Sequence, residues 1–516
     1  MSCEKPTVSS NVTGLAVAEE ECLRQLPGVG GVDAVWRNLE PNSYPGFGSE
    51  NSLVARNPIS QSRQFKKGGI TGKSAKAGYA TDITPTNTLE DMQGFLFADA
   101  RVRGGTQHLI RFNPLKPIVN TVSATSASSK YTLSAAVTGI VAGSLVFAAG
   151  WATASNNGLK NVASVTGPDV VVSQSVASEA NTTATLTRVG HQFAAGDINV
   201  VMTGDVASLS STAADFTTLG LIPGEYIYLG ADVLANRFVN NNGFARIASV
   251  SAHSIVFDHT IWTPAAETGT GKQIQIFFGT VVRTEDNPAN IVRRTYCFRR
   301  LLGSGAVGRQ AEYIIGAVPN TFKLNSPAAD KLTAELAYLA CGSSYVSGET
   351  GDLLWPGTEV AAKGEGLINT SSDLVAVRII VNNPLSSSQA PLFGYAGSFD
   401  LTFNNNASEI RALGVAGSLD IAEGNIGAEG TINGYFDDVA ACKAMEANAD
   451  FGLLAIYATA NTAQVYDVPL MSAASSELKI EANKPIEIPV KVSGAESKFG
   501  HTVLYSNFAY VPTAAS

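Results

Sequence analysis

The chain has 516 residues, and at roughly 100–200 residues per domain this length predicts two to four domains. Lys and Arg number 35 and Asp and Glu number 44, so the net charge is −9, which disfavours a general nucleic-acid binder. Charged residues make up only 15% of the chain and small residues replace them, a composition that disfavours disorder and suits a chain that covers much of its surface with copies of itself.

Three further classes of protein are disfavoured. The first residues lack a basic segment followed by an apolar one, so we expect no signal peptide. The most apolar stretch, residues 139–152, is too short and too rich in glycine to span a bilayer. The cysteines are odd in number and far apart, so we expect reduced thiols in a cytoplasm and no zinc site or disulfide framework. They are Cys3, Cys22, Cys297, Cys341 and Cys442.

Most of the chain is predicted to form short β-strands, because alternating apolar and polar residues are interrupted by Gly, Asn, Asp or Ser every 8–12 residues or so. This pattern is typical of β-sandwiches and barrels. Clear examples are residues 273–278, 374–381, 398–403 and 486–492.

Two helices are predicted. The first begins at Thr88, which could cap it with Asp91 in a capping box, and its apolar face comprises Leu89, Met92 and Leu96. The second runs from Asp437, the expected cap, to Met445.

The segments before these helices indicate an internal duplication. One offset of 356 aligns Gly78-Tyr79 with Gly434-Tyr435, and it also aligns the preceding Ile70 with Ile426. Later, similar segments precede strands around Leu336 and Val490. We therefore predict one β-rich unit with a flanking helix that occurs twice.

An insert near residues 115–275 divides the first unit and is itself repetitive. Gly143 and Asn156-Asn-Gly158 in its first half recur as Gly224 and Asn241-Asn-Gly243 in its second half. Each half is predicted to form short strands around an Asn-Gly turn, and two halves could pack into a small barrel or sandwich. We expect the insert to fold independently. The predicted division is an N-terminal arm and the start of unit 1 (1–114), the inserted β domain (115–275), the rest of unit 1 (276–345) and unit 2 (346–516).

Two nucleotide-binding motifs are present in form only. Residues 303–308 match GxGxxG, but a strand rather than a helix is predicted to follow, which favours a hairpin loop. Residues 67–74 nearly match a P-loop, but Lys67 occupies the place of the first glycine and no helix follows.

No arrangement of residues indicates catalysis. His253 and His259 could lie on one strand face and bind a metal ion, but a partly buried histidine with satisfied hydrogen bonds is the favoured interpretation. Serine, histidine and aspartate form no recognisable nucleophile elbow. We therefore predict a protein that is not an enzyme and needs no cofactor or metal.

A basic group precedes the first helix and has three interpretations. It could bind nucleic acid, form a solvated strand face, or contact another copy of the chain. The 356 offset aligns Lys67 with Glu423 and Lys73 with Glu429, so matched positions carry opposite charges and could meet between subunits. The group comprises Arg56, Arg63, Lys66, Lys67, Lys73 and Lys76.

The chain resembles the tail tube, or major tail, proteins of long-tailed bacteriophages in their larger, duplicated form. The resemblance rests on four stretches and the terminal strands, about two thirds of the chain, and leaves out the insert at 115–275. The stretches are residues 15–39, 56–97, 393–405 and 416–438.

This resemblance implies mainly β subunits, each with β-sandwich units and flanking helices, that join edge to edge into rings. Stacked rings would form the tail tube in the virion, assembled in the cytoplasm of the host bacterium, as the conduit for DNA ejection. The implied partners are other copies of the chain, the tape-measure protein and phage DNA in the lumen, and tail terminator and baseplate proteins at the ends, without a membrane. Because single-unit members form sixfold rings, two units per chain imply a homotrimeric ring with pseudo-sixfold symmetry.

One alternative belongs to another class. A β-rich adhesin or capsid-decorating protein could bind host-surface glycans through the insert. Electron microscopy would distinguish the two, because only the tube protein would form rings or hollow tubes.

Overall fold

The computed structural model describes residues 13–25, 27, 34–56, 59, 61, 64–100, 121–136, 139–303, 309–348, 357–389, 391–436, 439–475 and 478–512. These residues are mainly in β-strands, which confirms the predicted fold class. Before the insert they form β1 (Thr13–Glu19), β2 (Val35–Leu39), β3 (Pro41–Ser43), β4 (Gly48–Arg56), β5 (Lys66–Asp82) and helix α1 (Thr88–Phe95).

The first helix forms as predicted, but its start differs. Asn87 is the N-cap residue and Thr88 is already helical, with its hydroxyl 2.9 Å from that of Tyr505. Asp91 does not complete a capping box, because its carboxylate pairs with the buried Arg37 guanidinium. Tertiary partners thus take both side chains that the sequence assigned to the cap.

The insert forms a separate sheet in which one strand order occurs twice. The first seven strands are ordered β11-β6-β7-β10-β9-β8-β12, and the next seven continue as β19-β15-β16-β17-β14-β13-β18. The second series is the first in reverse, with β6 to β12 corresponding to β13 to β19. The strands are β6 (Thr121–Thr125), β7 (Lys130–Leu133), β8 (Ser144–Ala149), β9 (Gly158–Thr166), β10 (Asp169–Val172), β11 (Glu179–Ala180), β12 (Thr185–Gln192), β13 (Asn199–Thr203), β14 (Val206–Ser210), β15 (Tyr226–Gly230), β16 (Gly243–Ser251), β17 (Ser254–Thr260), β18 (Glu267–Thr268) and β19 (Gln275–Phe278).

A buried asparagine recurs in both halves of the insert. Asn156 donates to the Glu179 carboxylate at 2.9 Å, and Asn241 donates to that of Glu267 at 3.0 Å. Each glutamate also accepts two backbone N–H groups from the adjacent loop, from residues 152 and 153 in one half and from residues 239 and 240 in the other. The same asparagine–glutamate arrangement is therefore present at the corresponding turn in both halves of the insert.

All but two of the remaining strands join the first five in a 17-stranded sheet, and a second helix lies among them. Within this sheet β5-β23-β22-β21 are successive antiparallel neighbours, and so are β29-β32-β31-β30. Helix α1 follows β5 and helix α2 follows β29. The elements are β20 (Thr280–Arg283), β21 (Tyr296–Leu302), β22 (Arg309–Pro327), β23 (Thr333–Gly348), β24 (Thr358–Val360), β25 (Leu374–Val381), β26 (Ala396–Asn404), β27 (Ser408–Arg411), β28 (Ser418–Ala422), β29 (Gly427–Tyr435), α2 (Ala440–Glu446), β30 (Phe451–Thr459), β31 (Thr462–Ser475), β32 (Glu487–Gly494) and β33 (Leu504–Phe508); β27 and β28 pair only with each other.

The observed strand pairing does not support the offset of 356 residues that relates the two predicted units. Leu336 pairs with Tyr79, whereas Val490 pairs with Ile432 rather than with Tyr435. The difference between Tyr79 and Ile432 is 353, not 356. Tyr79 is 1% exposed and Tyr435 is 37% exposed, so the 356 offset matches residues on opposite faces of the sheet. The helices begin at Thr88 and Ala440, a difference of 352, which is closer to 353 than to 356.

The second helix begins at Ala440 with Val439 as its N-cap residue, and Asp437, the expected cap, lies outside the described residues. Two predicted boundaries also shift. Residue 275 begins β19, which pairs with β12 and β15 of the insert, so the insert sheet extends to Phe278. The strand β23 extends past residue 345 to Gly348.

One hydrophobic core unites both halves of the large sheet. The last part of β22 pairs with β26, where Phe322 lies opposite Phe403 and their rings stack with centroids 5.8 Å apart. Both rings are buried, together with Tyr79, Leu336 and Ile432. The two halves therefore meet through continuous β-pairing inside a single chain.

Candidate assembly surfaces

The two nucleotide-binding motifs lie in β-structure. The strands β21 and β22 flank residues 303–308 and pair antiparallel, with Leu302 opposite Gln310, as expected for a hairpin; residues 304–308 themselves lie outside the described residues. The P-loop-like segment 67–74 lies within the long strand β5. Neither segment precedes a helix whose N-terminus could hold a phosphate.

The two histidines differ from the favoured interpretation. His253 precedes β17, is exposed, and has its Nδ1 3.0 Å from the Ala214 carbonyl oxygen. His259 is fully buried, and neither ring nitrogen has a hydrogen-bond partner among the described residues, which differs from the expected satisfied histidine. Burial, with the nearby Arg246 charge, lowers the pKa of His259 to about 3, and the ring is therefore neutral.

Among the described residues, no three His, Cys, Asp or Glu side chains are arranged to hold a metal ion. Within the same residues no helix is long and apolar enough to cross a membrane. Of the cysteines, Cys22, Cys297, Cys341 and Cys442 are free thiols, and Cys3 lies outside the described part of the chain.

The insert is fastened to the large sheet by a buried ion network. Arg246, on β16, contacts Asp258 at 2.5 Å and Asp467, on β31, at 3.2 Å. The Tyr226 hydroxyl lies 3.2 Å from Asp467, and Lys498 approaches Asp258 to 2.8 Å. Burial raises the pKa of Asp467 to about 6 although Arg246 opposes the shift.

An apolar cluster also joins the insert to the large sheet, and independent folding of the insert stays a prediction. Tyr228, Phe244 and Phe277 of the insert share one buried cluster with side chains of β30, β31 and β33. Deleting the insert would therefore expose a hydrophobic face of the large sheet. The side chains on that face include Leu454, Ile456, Val465 and Phe508.

One two-stranded ribbon of the large sheet is exposed, and no described residue of the chain covers it. We call residues 50–56 of β4 with 66–71 of β5 the first arm. All of these residues are exposed except Gly68, which is half-buried. Leu53 and Ile70 of this arm are 70% and 65% exposed, and Phe65, just before its second strand, is 86% exposed. A two-stranded ribbon is marginally stable alone in water, so this arm needs a partner surface.

A corresponding ribbon farther along the chain is folded back and partly covered, with Ser418 and Ile421 buried and Ile410 and Leu419 exposed. We call β27 and β28 the second arm; it precedes β29 as the first arm runs into the rest of β5. Ile421 of this arm is fully buried against Val318 and Cys341 on the first half of the sheet. At the base of the arm, Arg293 forms an ion pair with Asp420 at 2.6 Å and another with Glu423. Sequence reasoning did not identify Arg293, because its partners are more than 120 residues away.

The four residues predicted to meet between subunits have different surroundings. Glu423 is already paired with Arg293, and Lys73 donates to the Ser343 carbonyl oxygen at 2.8 Å. Lys67 on the first arm and Glu429 on β29 are exposed. The structure therefore leaves Lys67 and Glu429 as the more accessible pair.

Comparison with known proteins identifies the family. Residues 187–494, more than half of the chain, match the family described as phage tail tube protein. No curated protein matches the chain. The match begins inside the insert, so the expectation that the resemblance excludes residues 115–275 is wrong for its second half. The chain therefore belongs to the phage tail tube protein family, as a structural protein of the virion tail.

Proposed function

We propose that this protein polymerises as stacked rings into the tail tube through which phage DNA is ejected. The tape-measure protein and then DNA would occupy the lumen, and tail terminator and baseplate proteins would close the ends. Assembly would take place in the host bacterial cytoplasm, with a structural rather than a catalytic role.

One observation carries the proposed ring. The order β5-β23-β22-β21 and the order β29-β32-β31-β30 are the same, each with a helix after its first strand. Two such units in one chain support a duplication. Their direct pairing through β22 and β26 supplies a template for a ring in which the units alternate. Three chains would contribute six units, which favours a homotrimeric ring with pseudo-sixfold symmetry.

The inserted sheet fits this arrangement as a second duplicated module docked on the second unit. Its contact with β30, β31 and β33 leaves the first arm uncovered. Lys67, Lys73, Glu423 and Glu429 remain candidates for contacts between chains, with Lys67 and Glu429 the pair available without first breaking an internal contact.

The test is electron microscopy of the purified protein combined with native mass spectrometry of isolated rings. We expect hollow tubes or rings and a mass of three chains. Six chains per ring would contradict the alternating arrangement. Monomers with affinity for glycans would instead support an adhesin.

A further inference from the structure

We propose that the first arm of one chain binds a polar groove on the second unit of another copy, as the second arm binds the first unit within its own chain. This inference rests on the proposed ring. Asp400, Glu429 and Lys491 line the groove with Ser472, Ser493 and Asn448, on the strands β26, β29, β31 and β32 and the turn before β30.

The contact inside the chain is the template. There the second arm crosses β22 and β23, where Val318 and Leu339 are paired neighbours. On the second unit the equivalent pair is Ser472 of β31 opposite Ser493 of β32. The preceding residues fix this equivalence, because Ala317 lies opposite the first residue of β21 and Met471 lies opposite the first residue of β30. Ser472 and Ser493 are exposed in the groove. The site that one arm fills is thus open on the other unit.

The charges change on both sides of the contact. The second arm carries Asp420, which Arg293 binds three residues before β21. By the 353 offset the first arm carries Lys67 at this place. Three residues before β30 stands Asn448, without charge. The second arm, with Asp420, thus meets an arginine, whereas the basic first arm would meet a groove in which Asp400 and Glu429 outnumber the one cation, Lys491.

Polarity also distinguishes the two receptor sites. The first unit presents Val318, Leu339 and Cys341 to the buried Ile421 of the second arm. The groove presents Ser472 and Ser493 at the positions that correspond to Val318 and Leu339, and the strands of the first arm carry Arg56, Lys66 and Lys67. Each receptor therefore disfavours the other arm, which would give the ring an alternating order.

Disulfide trapping between singly substituted chains tests the placement. In a background with Cys3, Cys22 and Cys442 replaced by Ser, chains with Lys67→Cys are mixed with chains with Ser493→Cys and assembled under mild oxidation. We expect a covalent dimer in rings or tubes. The matched control mixes Lys67→Cys with Lys130→Cys, whose cysteine lies in the insert, and should give little dimer.

Charge reversal tests the chemistry independently. Lys67→Glu should raise the concentration needed for assembly at low salt by up to about fivefold for each contact, and Glu429→Lys in the same chain should reverse most of this change. Lys130→Glu serves as the control. Rings that form without the Lys67–Ser493 disulfide would overturn this inference and leave the proposed function standing. Absence of rings and tubes from the parent protein would overturn both.

Discussion

The ion network between insert and sheet gives the sharpest test of the packing. In the Arg246→Met variant, Asp467 would lose its cation while staying buried, since Asp467 is 1% exposed. Asp258 would keep Lys498 at 2.8 Å. The substitution therefore leaves the Asp467 carboxylate, on β31, without its cation, while Asp258 keeps one.

The magnitude follows from burial. Removing one partner of a buried ion pair typically costs about 3–5 kcal/mol. The pKa of Asp467 is already raised to about 6, and loss of Arg246 would raise it further, so the carboxylate would bind a proton near pH 7 instead of remaining charged. Protonation of Asp467 limits this destabilisation, so we expect the free energy of unfolding to fall by about 3 kcal/mol, the lower end of that range.

Urea denaturation followed by tryptophan fluorescence, with hydrogen exchange of β31 amides, measures the effect. Adding Asp467→Leu to Arg246→Met should recover most of the loss, because an apolar pair leaves no buried charge. The control is Arg411→Met, which removes the ion pair between Arg411 and Glu409. The Arg411 side chain is 49% exposed, so this substitution should lower the free energy of unfolding by at most about 1 kcal/mol. Equal losses for Arg246→Met and Arg411→Met would refute the reasoning.

Two further predictions concern pH and the insert. Burial raises the pKa of Glu20 from 4.5 to about 7. The folded state therefore binds a proton more tightly than the unfolded state does. As the pH rises from 4.5 to 7, the contribution of Glu20 to the free energy of unfolding should fall by up to about 3 kcal/mol. Glu20→Gln should flatten this part of the denaturation profile, and an unchanged slope would contradict the assignment. Deleting residues 121–278 with a Gly/Ser linker should expose the face around Ile456 and Phe508, increase binding of an apolar dye and promote aggregation. A soluble deletion variant without dye binding would show that the shared core is dispensable.

Local patterns in the sequence determined the class of fold. Alternating apolar residues predicted β-strands because one face of each strand is buried, and Met92 and Leu96 are indeed on the buried side of α1. Tight turns were also readable, since Gly143 and Gly224 both adopt a positive φ that favours glycine. The failed nucleotide motifs could be judged from their predicted strand context alone.

Only the tertiary structure decided which residues meet. A shift of one residue in a strand moves every side chain to the other face, so sequence similarity could not show that Tyr79 is buried while Tyr435 is exposed. Arg293 meets Asp420 and Arg246 meets Asp467 across long separations, so no local pattern could predict either ion pair. The same holds for the two arms, because only the tertiary packing buries Ile421 of the second arm while Leu53 and Ile70 of the first arm stay exposed.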